Sequence, residues 1–466
     1  MKLSYTTLLI ILFTTTLCAK TWLVGPTRTY TKPSQVSGLV ADNDTVKIDA
    51  GIYTSDVTIW NANNLVLLGI GGKAHLKANG AAYGGKAIWV IAGNNTYIEN
   101  IEFSLCAVPS HNGAGIRQEG RNLTVSHCSF HDNEDGILAG TVASSKIIIE
   151  YSEFASNGFG DGLSHNLYIN NIDTLIFRYN YSHHAIIGHE LKSRAHVNFI
   201  LYNRLSDETT GTASRNIDLP NGGTTYLIGN IIEQGPLSPN SNLVGFGLEG
   251  LTNRAPHELY AINNTLVNNL NTGSFFSFQV STTLFKAYNN ILAGSGTFIA
   301  GSAPVTVDTT SNRLSNNLAI FGFVNVINYD YHLGTNTPLL VDKGTTSGTA
   351  HGFSLQASYE YQHPANKNSR CISSAIDIGA YEFCTTGIDD VISAKALLSP
   401  NPVSKILTIT TLENTLFEIK VYSVTGQVVL EAFGSNTLDV SSLASGLYYL
   451  HLINENKQVY LNFVKE

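Results

Sequence analysis

The stretch His189 to Ala195, HELKSRA, gathers a histidine, a glutamate, a lysine and an arginine in a chain of which only 13% is charged. An imidazole, an amine and a guanidinium can move protons or hold anions. Similar groups recur about two dozen residues away on either side. His189 minus 24 is His165, Lys192 minus 24 is Tyr168, Lys192 plus 23 is Arg215, and Arg194 plus 24 is Asp218. If the backbone coils with that period, SHNLYI, GHELKSRA and SRNIDLPNGG stack on one face, about 5 Å apart as in a parallel sheet. His165, Tyr168, His189, Glu190, Lys192, Arg194, Arg215 and Asp218 then form one patch, with Asn221 in the adjoining Gly-Gly turn. Glu249 and Gln234 extend it as a groove. Plainer readings compete: a solvated charge cluster, Tyr168 as packing, His165 as a turn cap, and an Arg194–Asp218 ion pair of little energetic consequence.

Such a patch suits β-elimination of an acidic sugar chain. A cation neutralises the uronate carboxylate, a base takes the C5 proton, and an acid protonates the leaving oxygen. Lys, His or Tyr can be the base. Glycoside hydrolysis would instead need two carboxylates, for which Glu190 and Asp218 are the candidates. A third reading needs no catalysis: a surface adhesin or glycan-binding protein. His183-His184 has no nearby partner at ligand spacing and is a weak metal signal.

The elements that must position these groups are short strands. NTYIENIEF, NLTVSHCSF, KIIIEYSEF, TLIFRYNYS, VNFILYNRL, TYLIGNIIE, LYAINNTLV and FKAYNNILA alternate apolar and polar residues and end in turn formers. One asparagine recurs at Asn180, Asn203, Asn230, Asn264 and Asn290, with spacings of 23, 27, 34 and 26. A period in the twenties signals a solenoid, and its asparagines can stack as a ladder. The fold class is therefore all-β, a right-handed parallel β-helix over residues 20–385. Propellers have longer repeats, and sandwiches keep no such period. The opening VGPTRTYTKPSQV…DNDTVKIDAGIYTSDVTI resembles the first coil of secreted β-helix proteins, with a short helix capping the open end. AIDIGAYEF resembles the tail that closes them.

The N-terminus has a basic Lys2, an apolar run Leu8 to Phe13, and a small residue at Ala19. This pattern predicts a signal peptide over 1–19, too short for a permanent membrane span. Four cysteines then remain: Cys106, Cys128, Cys371 and Cys384. Cys371 and Cys384 could staple a terminal loop, and Cys106 and Cys128 could pair or be small buried residues. A net charge of −8 without a basic block argues against nucleic acid as partner. The chain is expected to be secreted as a monomer.

Beyond a linker at 386–397, the strands LLSPNPVSKILTI, IKVYSVTGQVVLE and LDVSSLASGLYYLHL form a second unit, 398–466. Asn401-Pro402 opening the first strand, Tyr422 to Gly426 at a hairpin and LASGLY at Leu443 to Tyr448 resemble the C-terminal sorting domain of type IX secretion in Bacteroidetes. The resemblance implies a small β-sandwich, the secretion machinery as partner, and the cell surface or medium as destination.

ELKSRAHVNFILYNRL…SRN is similar to the segment that carries the catalytic lysine in polysaccharide lyase family six, the β-helical alginate and chondroitin B lyases. The resemblance implies Lys192 as base, Arg215 as acid, and Glu190 beside a calcium ion that binds the uronate. Two departures stand out. Arg215 is followed by Asn216-Ile217 where the family has His-Gly, and Glu190 is the one acid close to the lysine.

Overall fold

The computed structural model describes residues 19–335, 337–371, 374–384, 396–411, 418–424, 426–434, 436–453 and 458–466. Nearly all of the expected signal peptide and most of the expected linker lie outside them. The described residues up to Phe383 form one compact unit and those from Cys384 onward another.

The first unit is a parallel β-helix. One face has ten strands running from Thr58–Trp60 to Thr297–Gly301. The other 21 strands make two further faces, continuous where Val66–Lys77 turns a corner without a break. Alternation sends one residue in two inward, where it meets its equivalent one coil away. Phe103, Phe130 and Phe154 accordingly stack with ring centroids 4.9 Å apart at each step. The four-residue helix Ser34–Ser37 buries Val36 in this same core.

The asparagine series forms the expected ladder. Each side-chain oxygen accepts the backbone N–H and Nδ2 of the rung before: Asn180 to Asn203 at 2.9 and 3.1 Å, then Asn203 to Asn230 at 2.9 and 3.0 Å. The ladder continues through Asn264 and Asn290 to a sixth rung, Asn312. The residue before each rung sits in the left-handed region, as at Tyr179, Tyr202 and Asn263 (φ 60°, 56° and 52°). That conformation costs roughly 1–2 kcal/mol for a non-glycine residue. The buried amide bonds gained at each corner offset it.

The tail 375–383 closes on this scaffold as expected. Asn263 Nδ2 donates to the Asp377 carbonyl, and the fully buried Arg370–Glu382 ion pair (2.7 Å) ties the segment down. Cys371 and Cys384 are disulfide-bonded. Cys106 and Cys128 are free and buried, and burial pushes both thiols up to about 12.

The second unit has a three-stranded and a four-stranded antiparallel sheet around Leu407, Ile419, Val421, Leu438, Leu450 and Phe463. Asn401-Pro402 lies between the strands Ala396–Ser399 and Ile406–Thr411 rather than opening the first one. Among the described residues no helix is long and apolar enough to cross a membrane.

Candidate functional site

Three adjacent strands of the ten-stranded face, Leu167–Ile169, His189–Ser193 and Arg215–Leu219, carry the charged patch. Tyr168 pairs with Lys192, as the 24-residue step requires. The next coil departs from the expected register. Lys192 lies opposite Asp218, and His189 opposite Arg215, a step of 26. The excess is taken up around Glu208–Ser214, between strands, where Asp207 accepts the Ala213 N–H. Arg215 still reaches the site through its side chain, because its guanidinium meets Asp218 Oδ1 at 3.2 Å.

Asp218 is the hub. It is buried, with Arg215 on one oxygen and Lys192 Nζ 3.5 Å from the other. Burial pushes its carboxyl upward against the pull of Arg215 and Lys192. Lys192 Nζ also donates to Glu249 Oε1 at 2.8 Å. Arg194 spreads over three acceptors: Tyr168 Oη at 2.9 Å, Asn221 Oδ1 at 2.5 Å and Glu249 Oε2 at 2.5 Å. The expected Arg194–Asp218 ion pair does not form, since each has other partners. Partial burial pushes the Glu249 carboxyl up, but hydrogen bonds and charge from Lys192 and Arg194 hold it down at about 2.

Two turns set the outer residues. Gly223 (φ 97°) lies where a Cβ would come within 2.2 Å of the His196 carbonyl, so the turn after Asn221 admits only glycine. Gly247 (φ 73°) begins the turn that lifts Glu249 over the two cations. The sequence reading placed Glu249 further along a groove; here it covers the centre. The Gly-Leu-Glu-Gly run was the available signal.

His165 and His189 stack at 4.8 Å, nearly parallel. His165 Nδ1 accepts the His189 backbone N–H at 3.0 Å, and His189 Nδ1 accepts that of Arg215 at 3.2 Å. A backbone N–H can only donate, so each Nδ1 is an acceptor and each neutral ring carries its proton on Nε2. Burial, reinforced by Lys192 and other nearby positive groups, holds both rings neutral, His189 down to about 3. Neither ring has a lone pair free to take a proton. Their expected role as alternative bases is corrected to that of struts that set strand spacing.

Glu190 is also corrected. It is fully buried and points into the coil, accepting from Asn166 Nδ2 (2.6 Å), Ser182 Oγ (2.7 Å) and the Ala185 N–H (2.9 Å). It extends a second interior ladder, Asn133–Asn157–Asn166. From there it can neither flank a glycosidic bond with Asp218 nor share a calcium ion with a bound uronate. Gln234, likewise buried, bonds to Ser238 and Asn240 and lines no groove. His183 and His184 bond to each other through their Nδ1 atoms at 2.8 Å.

With this geometry in view, comparison places the fold. Residues 37–191 match the model of the right handed beta helix region, and 398–466 that of the secretion system C-terminal sorting domain. The protein is thus a right-handed parallel β-helix carrying a sorting domain that sends it by type IX secretion to the cell surface or beyond. Among solved structures it is similar to pectate lyase Pel9A, with a TM-score of 0.54 at 13% identity, over 78% of this chain and 96% of that one. No curated protein matches.

Proposed function

We propose that the chain is a secreted polysaccharide-active protein and that the Lys192 patch cleaves a uronate-containing glycan by β-elimination. One observation carries this reading: a carboxylate, that of Glu249, is already held between Lys192 and Arg194 while its own side chain stays 46% exposed. A substrate uronate presents the same group and can take its place. Arg194, steered by Tyr168 and Asn221, would then neutralise the uronate. Lys192, as the neutral amine left after it gives a proton to solvent, takes the C5 proton; the C4–O bond breaks as the C4–C5 double bond forms, and Arg215 protonates the leaving oxygen. The likeness to a pectate lyase structure supports the scaffold for such a groove.

The test is the ultraviolet absorbance of the unsaturated uronate, followed over pectate, alginate and chondroitin. Growth of that absorbance supports elimination. Binding to these glycans without it would favour a non-catalytic glycan-binding protein.

A further inference from the structure

On a different face of the helix, away from the Lys192 strands, His75, Glu102 and His131 converge from three consecutive coils. Their strands pair so that Glu102 stands opposite both His75 and Ser129, with His131 two residues beyond Ser129. His75 Nδ1 lies 3.3 Å and His131 Nε2 3.0 Å from Glu102 Oε1. One ligand atom from each residue lies within 4.8 Å of the others. Ligand atoms on a tetrahedral zinc ion, with bonds of roughly 2.0–2.2 Å, stand about 3.3 Å apart. The side chains are 17%, 27% and 32% exposed, so the group is open to solvent.

The far nitrogen of each ring is also engaged. His131 Nδ1 faces Asp132 Oδ2 at 2.7 Å, and His75 Nε2 faces Ser104 Oγ at 2.7 Å. Outer partners of this kind fix the tautomer and aim the inner nitrogen in metal sites. The arrangement has a second consequence. With Nδ1–H given to Asp132, His131 Nε2 confronts the Glu102 carboxylate, and something positive must stand between them. A cavity of about 430 Å³, lined by Glu102, Ser129, His131, Asp132 and Glu153, opens beside the group and leaves room for a further ligand. Lys73, bonded to Ser129, and Lys77 are the nearby cations.

We infer that His75, Glu102 and His131 bind a divalent transition cation of the zinc type, with an exchangeable fourth position facing the cavity. Two imidazoles and one carboxylate suit zinc; calcium takes six to eight oxygens. The site is independent of the Lys192 chemistry and of whether that chemistry operates.

Isothermal titration of chelator-stripped full chain with Zn²⁺ tests it. One saturable site per chain is expected, lost or weakened at least about 100-fold in His75→Ala and His131→Ala. Asp132→Asn should weaken it about 10- to 100-fold, and His183→Ala should leave it unchanged. Glu102→Gln keeps the side chain's shape and hydrogen bonding, so loss of binding there, with an unaltered melting temperature, excludes misfolding as the cause. Co²⁺ bound to the wild type should show the visible absorption of a tetrahedral nitrogen-ligated ion. Absence of saturable Zn²⁺ binding, wild-type affinity in a His75→Ala/His131→Ala double variant, or an octahedral Co²⁺ spectrum would each overturn the inference.

Discussion

Replacing Glu249 by glutamine should tighten binding of an acidic glycan. The Glu249 carboxylate bridges Lys192 at 2.8 Å and Arg194 at 2.5 Å, and its side chain is 46% exposed. Ion pairs this open contribute roughly 0.2–1 kcal/mol each. Displacing both therefore costs an incoming uronate about 0.4–2 kcal/mol, a factor of roughly 2 to 30 in affinity. Glutamine keeps the size and one acceptor but removes the charge, so the variant should show a KM or Kd lower by that factor, with the gap narrowing as salt is raised. Calorimetry with uronate oligosaccharides gives Kd, and initial rates separate KM from kcat. Weaker binding by Glu249→Gln would refute the reasoning, since Glu249 would then help to hold the substrate rather than stand in for it.

Other expectations follow from the same geometry. His189 stays neutral in the folded chain down to about pH 3 but takes a proton near pH 6.5 when unfolded. Unfolded chain therefore binds the extra proton between those values, and this residue's contribution to stability falls as pH drops through that window, by on the order of 5 kcal/mol. Buried Glu190 and Asp207 are shifted upward and titrate in the opposite sense, so the quantity to measure is the difference in urea midpoint between wild type and His189→Gln at pH 7 and pH 4; a difference that does not change with pH would sink the strut assignment. Asn230→Ala removes the acceptor of the Asn203 N–H and of one Asn203 amide hydrogen, and the donor to the Ile200 carbonyl, and should cost about 3–5 kcal/mol. Asn94→Ala, on the exposed Asn63–Asn94 pair, should cost under about 1 kcal/mol, and equal losses would contradict the ladder's energetic role. A chain lacking residues 398–466 should accumulate in the periplasm of a type IX host, and normal surface levels would refute the sorting role.

The solenoid was legible because its period is written in single residues. A buried asparagine recurs at each corner, since only its amide can serve both neighbouring coils. The site was legible in composition but not in register. A fixed step put Arg215 against Lys192, whereas extra residues between strands slid Asp218 there instead. Nothing local in the sequence reveals where a coil hides two or three added residues. The same limit misled the reading of Glu190. Strict alternation would turn it outward with Lys192, but it turns inward at the start of its strand, where Asn166, Ser182 and the Ala185 N–H wait for a carboxylate. The histidines were recognised as members of the patch, yet their tautomers depend on backbone N–H groups from the following coil. The His75–Glu102–His131 group went unread because its members lie 27 and 29 residues apart, one coil at a time, with no local motif.

The central claim is that Lys192 takes the proton in an elimination reaction. The most direct measurement compares wild type and Lys192→Ala on the same uronate glycan, following unsaturated-product absorbance alongside the melting temperature. The account predicts absorbance growth with wild type, a rate about 10² to 10⁴ lower in the variant, and a melting transition of the variant that still lies above the assay temperature. Full activity in Lys192→Ala, or new reducing ends released by wild type without any unsaturated product, would contradict it.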